Sequence, residues 1–165
     1  MPQTLTPRSL RSCLGRFATG VAVVTFDGQH SPRGITVNSF TSVSIEPPLV
    51  LVSVSRRARS HDALRGNSFC VNVLAAEQEA VARAFAGGQD EHGEIHWVQA
   101  AQVPRLHGAL SWLECRPWRE YEGGDHTLFV GEVVDYDYRD GAALAFHASG
   151  FTAIADPQPG IEGLL

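Results

Sequence analysis

Apolar residues recur at helical spacing near the start of the chain and then give way to β-branched runs. Leu10, Cys13, Leu14 and Phe17 stand three or four apart, behind Thr6 and Pro7, and Gly20 ends the pattern. A hydroxyl before a proline opens a helix well, because the one caps free amides and the other lacks only an N–H that would go unpaired. The spacing predicts a short amphipathic helix. Val21 to Phe26 and Ile35 to Phe40 flank the polar turn from Asp27 to Pro32, which reads as a hairpin. After Pro47-Pro48, the run Leu49-Val50-Leu51-Val52-Ser53-Val54 is apolar on both faces, and so lies centrally in a sheet or under another subunit. Ser60 caps a short helix through Leu64 that closes at Gly66, and Phe69 to Leu74 returns to strand. Ala75 to Ala86 is the best helical pattern, with Glu77 and Glu79 in its first turn, Val81, Ala84 and Phe85 facing inward, and Gly87-Gly88 as its stop. Gln89 to Pro104 has no strong period and predicts a mobile loop. Leu110 to Trp118, Thr127 to Tyr138 and Ala142 to Phe146 are further extended segments. About six or seven strands and three helices, joined mostly by short turns instead of βαβ units, predict a mainly β fold: an antiparallel barrel decorated with helices.

Composition sharpens this picture. At 165 residues the chain makes a single domain, 1–165, by the rule of roughly 150 residues per domain. With 44% hydrophobic and 19% charged residues it is neither disordered nor membrane-spanning, and its longest apolar run falls far short of the roughly 20 residues that cross a bilayer. All 13 positive residues are arginine, which excludes Schiff-base and P-loop lysine chemistry. A net charge of −5 argues against wrapping a nucleic acid but leaves room for one small phosphorylated ligand. Cys13, Cys70 and Cys115 are odd in number and far apart, so they predict free thiols and not a disulfide framework or a structural zinc site. The N-terminal residues lack the apolar stretch of a signal peptide, which predicts a cytoplasmic protein.

Three segments carry candidate chemistry. In Gly34-Ile35-Thr36-Val37-Asn38-Ser39, strand alternation puts Ile35 and Val37 on one face and Thr36 and Asn38 on the other. The amide of Asn38 donates and accepts together, which suits the edge of a pyrimidine-like ring; the competing reading is a polar face that meets water. In Ser53-Val54-Ser55-Arg56-Arg57-Ala58-Arg59-Ser60, guanidinium forks, hydroxyls and the amides of a helix start are the parts of a phosphate site, against the alternative of a solvated charge run. Gly123-Gly124-Asp125-His126-Thr127 sets a histidine that titrates near neutrality beside glycines that allow close approach of a ligand, or else is a turn without further role. His92 and His96, four apart with Glu94 between them, are rejected as a metal pair because no helix and no third ligand are expected there. No GxGxxG, GxxxxGK[ST] or GxSxG motif is present.

Taken together, these residues resemble the short-chain flavin reductase family, the reductase components of two-component flavin-dependent monooxygenases, built on the FMN-binding split barrel. The resemblance rests on Phe17 to Thr25, Gly34 to Ser44, Pro47 to Val52, Phe69 to Leu74, Gly124 to Val133 and Leu144 to His147, in family order. It implies a homodimer that binds FMN or FAD between a barrel edge and the partner subunit. Thr36, Val37, Asn38 and Ser39 would then lie against the isoalloxazine ring, while Ser53, Val54, Ser55, Arg56, Arg59 and Ser60 would hold the ribityl phosphate. His126, Phe146 and His147 would stand near the nicotinamide of NADH or NADPH. The implied reaction is hydride transfer from nicotinamide to flavin, with reduced flavin leaving for a separate oxygenase; the alternative is a non-catalytic flavin carrier or sensor. The tail Ala148-Ser149-Gly150-Phe151 departs from the family pattern, where arginine and an aromatic are common.

Overall fold

The computed structural model describes residues 4–87, 94–98 and 102–156. The chain runs α1 (Pro7–Leu14), β1 (Thr19–Gly20), β2 (Ala22–Asp27), β3 (Pro32–Val37), β4 (Thr41–Ile45), β5 (Pro48–Ser55), α2 (His61–Leu64), β6 (Phe69–Val73), a 3₁₀ turn (Ala76–Gln78), α3 (Glu79–Phe85), β7 (Ser111–Gly123), β8 (His126–Tyr138), β9 (Ala143–His147) and β10 (Gly150–Ile154). Seven strands form one antiparallel sheet in the order β3-β2-β6-β7-β8-β5-β4, and β1-β9-β10 form a smaller one. The hydroxyl of Ser39, just past β3, accepts from the Ser53 N–H and donates to the Ser53 carbonyl, both at 2.9 Å. This clasp joins β3 to β5, closes the large sheet into a barrel and leaves β4 as a free edge.

Two apolar layers explain why β2 is buried almost throughout. Ala22, Val24 and Phe26 point into the barrel with Val52, Val54, Phe69, Val71 and Phe129. Val21 and Val23 point outward to Leu74, Ala82, Leu106 and Leu144, the second layer, which α3 covers. Gly131 of β8 permits the tightest contact of the barrel interior: a Cβ there would come within 2.6 Å of the Phe69 ring.

The predicted helices and strands are present with shifted bounds. The expected helix Ala75 to Ala86 begins as a 3₁₀ turn because Gln78 folds back, accepting from the Ala75 N–H at 3.0 Å and donating to the His107 carbonyl at 3.0 Å. Ser60 precedes α2, but its side chain makes no capping bond. The strand expected from Ile35 to Phe40 leaves the ladder after Val37, and the chain crosses to the opposite edge as β4. Half of the predicted loop at Gln89 to Pro104 lies outside the described residues, as does His92; His96 lies within them. Among the described residues no helix is long and apolar enough to cross a membrane, and no cluster of three metal-ligating side chains occurs.

Candidate functional site

Three cavities follow one another along β3 and the segment after it. The central one, about 260 Å³, is lined by Ile35 to Ser39, Ser53 to Ser55 and His126. It shares Ile35 and Thr36 with a cavity of about 660 Å³ that extends past Arg33, Arg59, Ser60 and Phe85. On its other side it shares Asn38 and Ser39 with a cavity of about 460 Å³ bounded by Phe17 to Ala22, Phe40 and Thr41. Together they make one trough, with a polar middle, two guanidinium groups at one end and apolar walls at the other.

The trough gathers most of the sequence-predicted residues but gives them unequal parts. Val37 and Val54 are buried in the barrel core, so they face the trough through backbone alone. Thr36 donates its hydroxyl proton to the Ala82 carbonyl at 2.6 Å, and Ser39 is spent on its clasp with Ser53. Asn38 alone in this segment is exposed, with its amide free to meet a ligand edge. On the cationic side, Arg56 pairs with Glu122 at 3.1 Å, whereas Arg59 has no ion pair among the described residues and lines the largest cavity. Ser55 accepts from the Arg57 N–H at 3.3 Å, which holds the loop in a tight turn.

Two histidines connect this loop to β8. His126 borders the central cavity, and its Nδ1 lies 2.7 Å from the Asp125 carboxylate. That carboxylate only accepts while ionised, so Nδ1 donates and Nε2 remains the free ring nitrogen. The hydrogen bond from His126, and then its charge, hold the Asp125 carboxyl below its ordinary value. One residue along, the buried Thr127 hydroxyl lies 2.8 Å from Nε2 of His61, whose Nδ1 lies 2.9 Å from Asp62. The Arg56 N–H donates to the Asp125 carbonyl at 3.0 Å, a second tie between the arginine loop and the turn carrying His126.

Phe146 and His147 are not brought to His126 within one chain. Phe146 packs in the second core, edge-on to Phe151 at 5.3 Å, and His147 is exposed at the end of β9. They reach the neighbourhood of the trough only through β1, where Thr19, a lining residue of its apolar end, pairs with Phe146. In the divergent tail, Ala148 and Ser149 make the β9-β10 turn with positive φ of 48° and 68°, and the guanidinium over the Phe151 ring, at 5.0 Å, comes from Arg83 of α3. Sequence reasoning missed Arg33 and Phe85 as lining residues.

Comparison with known proteins gives this geometry a context. Residues 14–155 match the family described as flavin reductase like domain. An NADH-dependent flavin reductase from a Rhodococcus species is 42% identical over 154 residues, covering 91% of this chain and 88% of that protein. The reductase component of the 4-nitrophenol 4-monooxygenase/4-nitrocatechol 2-monooxygenase of Rhodococcus opacus is 34% identical over 151 residues, 90% of this chain and 82% of its own. The solved NADH:FAD oxidoreductase of Streptomyces globisporus, in complex with NAD and FAD fragments, superposes with a TM-score of 0.84 at 40% identity, covering 98% of this chain and all of that one (100%).

Proposed function

The chain belongs to the flavin reductase like family, and we propose that it passes a hydride from NADH or NADPH to FMN or FAD and releases the reduced flavin to a separate monooxygenase. The observation that carries this reading is the trough itself, which has an exposed amide at its centre and unpaired guanidinium at one end. A flavin fits that sequence of environments: a planar ring with alternating donors and acceptors, then a chain ending in phosphate. Bound flavin supplies the hydride acceptor, and the protein's task is to orient and shield the two reactants. Asn38 pairs with the ring edge, the backbone of Val37 and Val54 floors the cavity, and Arg59 with Ser55 and Ser60 receives the phosphate. His126, with Nε2 free, contacts the nicotinamide at the mouth. Such a transfer needs no nucleophile and no paired carboxylates from the protein.

A homodimer completes the reading. Ile45 is 85% exposed and Tyr136 is 65% exposed, and Leu10, Leu14 and Phe17 of the N-terminal segment are also uncovered. Such area on one chain marks an association surface. Phe146 and His147 serve the nicotinamide only if two chains together build the site, because within one they stand apart from His126. Free thiols without a disulfide suit a reducing compartment, in keeping with a cytoplasmic protein. The three relatives above are each named for reductase or oxidoreductase activity, which favours an enzyme over a carrier. Purified protein mixed with NADH and catalytic FMN or FAD should oxidise NADH continuously in air. Failure with both flavins, riboflavin and either nucleotide would overturn the assignment.

A further inference from the structure

The largest cavity exceeds what a terminal phosphate requires. At about 660 Å³ it has the dimensions of a small-molecule site in its own right. Among the described residues its lining includes two arginines, Arg33 and Arg59, and no carboxylate. Neither guanidinium has an ion pair among the described residues, so both are open to an anion in the cavity they share. Two unneutralised guanidinium groups facing one cavity suit two phosphates in succession better than one.

One wall is aromatic and held in place. Gly34 has no side chain, and a Cβ there would come within 3.0 Å of both the Phe85 ring and Val23. The glycine therefore lets Phe85 lie directly on β3. Trp97 backs that ring edge-on at 6.1 Å, and the bond from Thr36 to the Ala82 carbonyl ties α3 to the same strand. A cavity that borders the arginine loop, carries a second cation and has a fixed aromatic wall offers the parts that a diphosphate and a purine base require. Every base offers a π-face to such a ring, and walls set beforehand lower the ordering cost of binding.

We propose that this cavity binds the diphosphate and adenylate half of FAD, so that the protein takes FAD in preference to FMN, with Arg33 as the selecting residue. The proposal rests on the flavin reading above, since Thr36 and Ile35 join this cavity to the one assigned to the ring. The adenylate of NADH has the same chemistry, so the test must separate the two dinucleotides.

The test is equilibrium titration of riboflavin, FMN and FAD by flavin fluorescence, without nicotinamide, on the wild type, Arg33→Gln and Arg33→Glu. Arg33 is exposed, so the variants should fold, and thermal melting checks that they do. The wild type should bind FAD about tenfold more tightly than FMN, as one charge-assisted bond implies. Arg33→Gln should remove that margin and Arg33→Glu should weaken FAD further, with FMN and riboflavin changed less than about twofold. Equal affinities for FMN and FAD in the wild type, or no FAD-specific loss in Arg33→Glu, would overturn the proposal. So would a rise in the KM for NADH with an unchanged Kd for FAD, which assigns the cavity to the nicotinamide dinucleotide. If the wild type binds none of the three flavins, the flavin reading itself fails.

Discussion

Asn38 shows how a side chain's meaning depends on what its neighbours already do. Thr36, Asn38 and Ser39 are equally polar in the sequence, yet two of the three spend their hydroxyls on Ala82 and Ser53, 46 and 14 residues away. Those partners are set by the fold, so no local pattern reveals them. Asn38→Leu should leave a ring edge unpaired and weaken both FMN and FAD by about 1–3 kcal/mol, measured by flavin titration, with little change in thermal stability because the residue is exposed. The arginines follow the same logic: Arg56 and Arg59 read alike until the fold gives Arg56 to Glu122. The cysteines were legible in number and pairing but not in reactivity. Burial pushes the Cys70 and Cys115 thiols up to about 12, while Cys13 is exposed. A thiol reagent at pH 8 should therefore find one group in the native protein and three in denaturant. The sign of the pH effect follows: the unfolded thiols ionise near 9.0 and the folded ones only near 12, so the stabilisation is present below that window and lost through it. Each thiol should cost about 1.4 kcal/mol per pH unit across it, visible as falling stability in alkaline denaturant titrations.

At the level of elements, the sequence reads well where burial is regular and poorly where a turn has no glycine or asparagine to announce it. β2, β3, β5 and β6 lie where β-branched runs predict strands, because each turns apolar side chains into the barrel core, and β2 meets the second layer as well. β10 was not legible: its turn passes through Ala148 and Ser149 at positive φ, where neither residue gives a signal. α2 is only four residues long, and two of them are buried: Leu64 in the barrel core, and His61, whose ring lies between Thr127 at 2.8 Å and Phe129 at 5.6 Å between centroids. That contact fixes the arginine loop, which ends at Ser60, against the strand that carries His126. His61→Leu should leave the Thr127 hydroxyl buried and unpaired, at about 1–3 kcal/mol, and should raise the Kd for FMN more than that for riboflavin because the displaced loop carries the proposed phosphate contacts. Adding Thr127→Val should restore part of the loss, since removing both partners leaves nothing unsatisfied. Strictly additive losses in thermal melts of the double variant would deny the link between α2 and β8.

Across the whole molecule, the unsolved quantity is apolar surface. β8 alternates Val134, Tyr136 and Tyr138 with Asp135 and Asp137, the pattern of a strand with one apolar face, yet in a single chain those three side chains stay exposed. Val43 and Ile45 of the free edge β4 are uncovered too, and the register through β5, with Ile45 opposite Pro48 and Leu49 opposite Glu132, puts them at the same end of the sheet. Of the sequence reading of Leu49 to Val54 as central or covered by another subunit, the central half has its place, since β5 is internal, and uncovered apolar residues stand on both of its neighbours. If a second copy covers that end of the sheet, the trough and the dimer are linked through β5, which runs from Pro48 beside Ile45 to Ser53–Ser55 at the central cavity. Ile45→Glu would force a charge into the apolar contact, and a buried unpaired carboxylate is strongly unfavourable. Sedimentation velocity should show the wild type as a dimer and the variant shifted to monomer at micromolar concentration. Flavin affinity should fall with the dimer fraction, and raising the variant's concentration should recover both together. A monomeric wild type with full flavin affinity would sever the link and leave the single chain as the complete site.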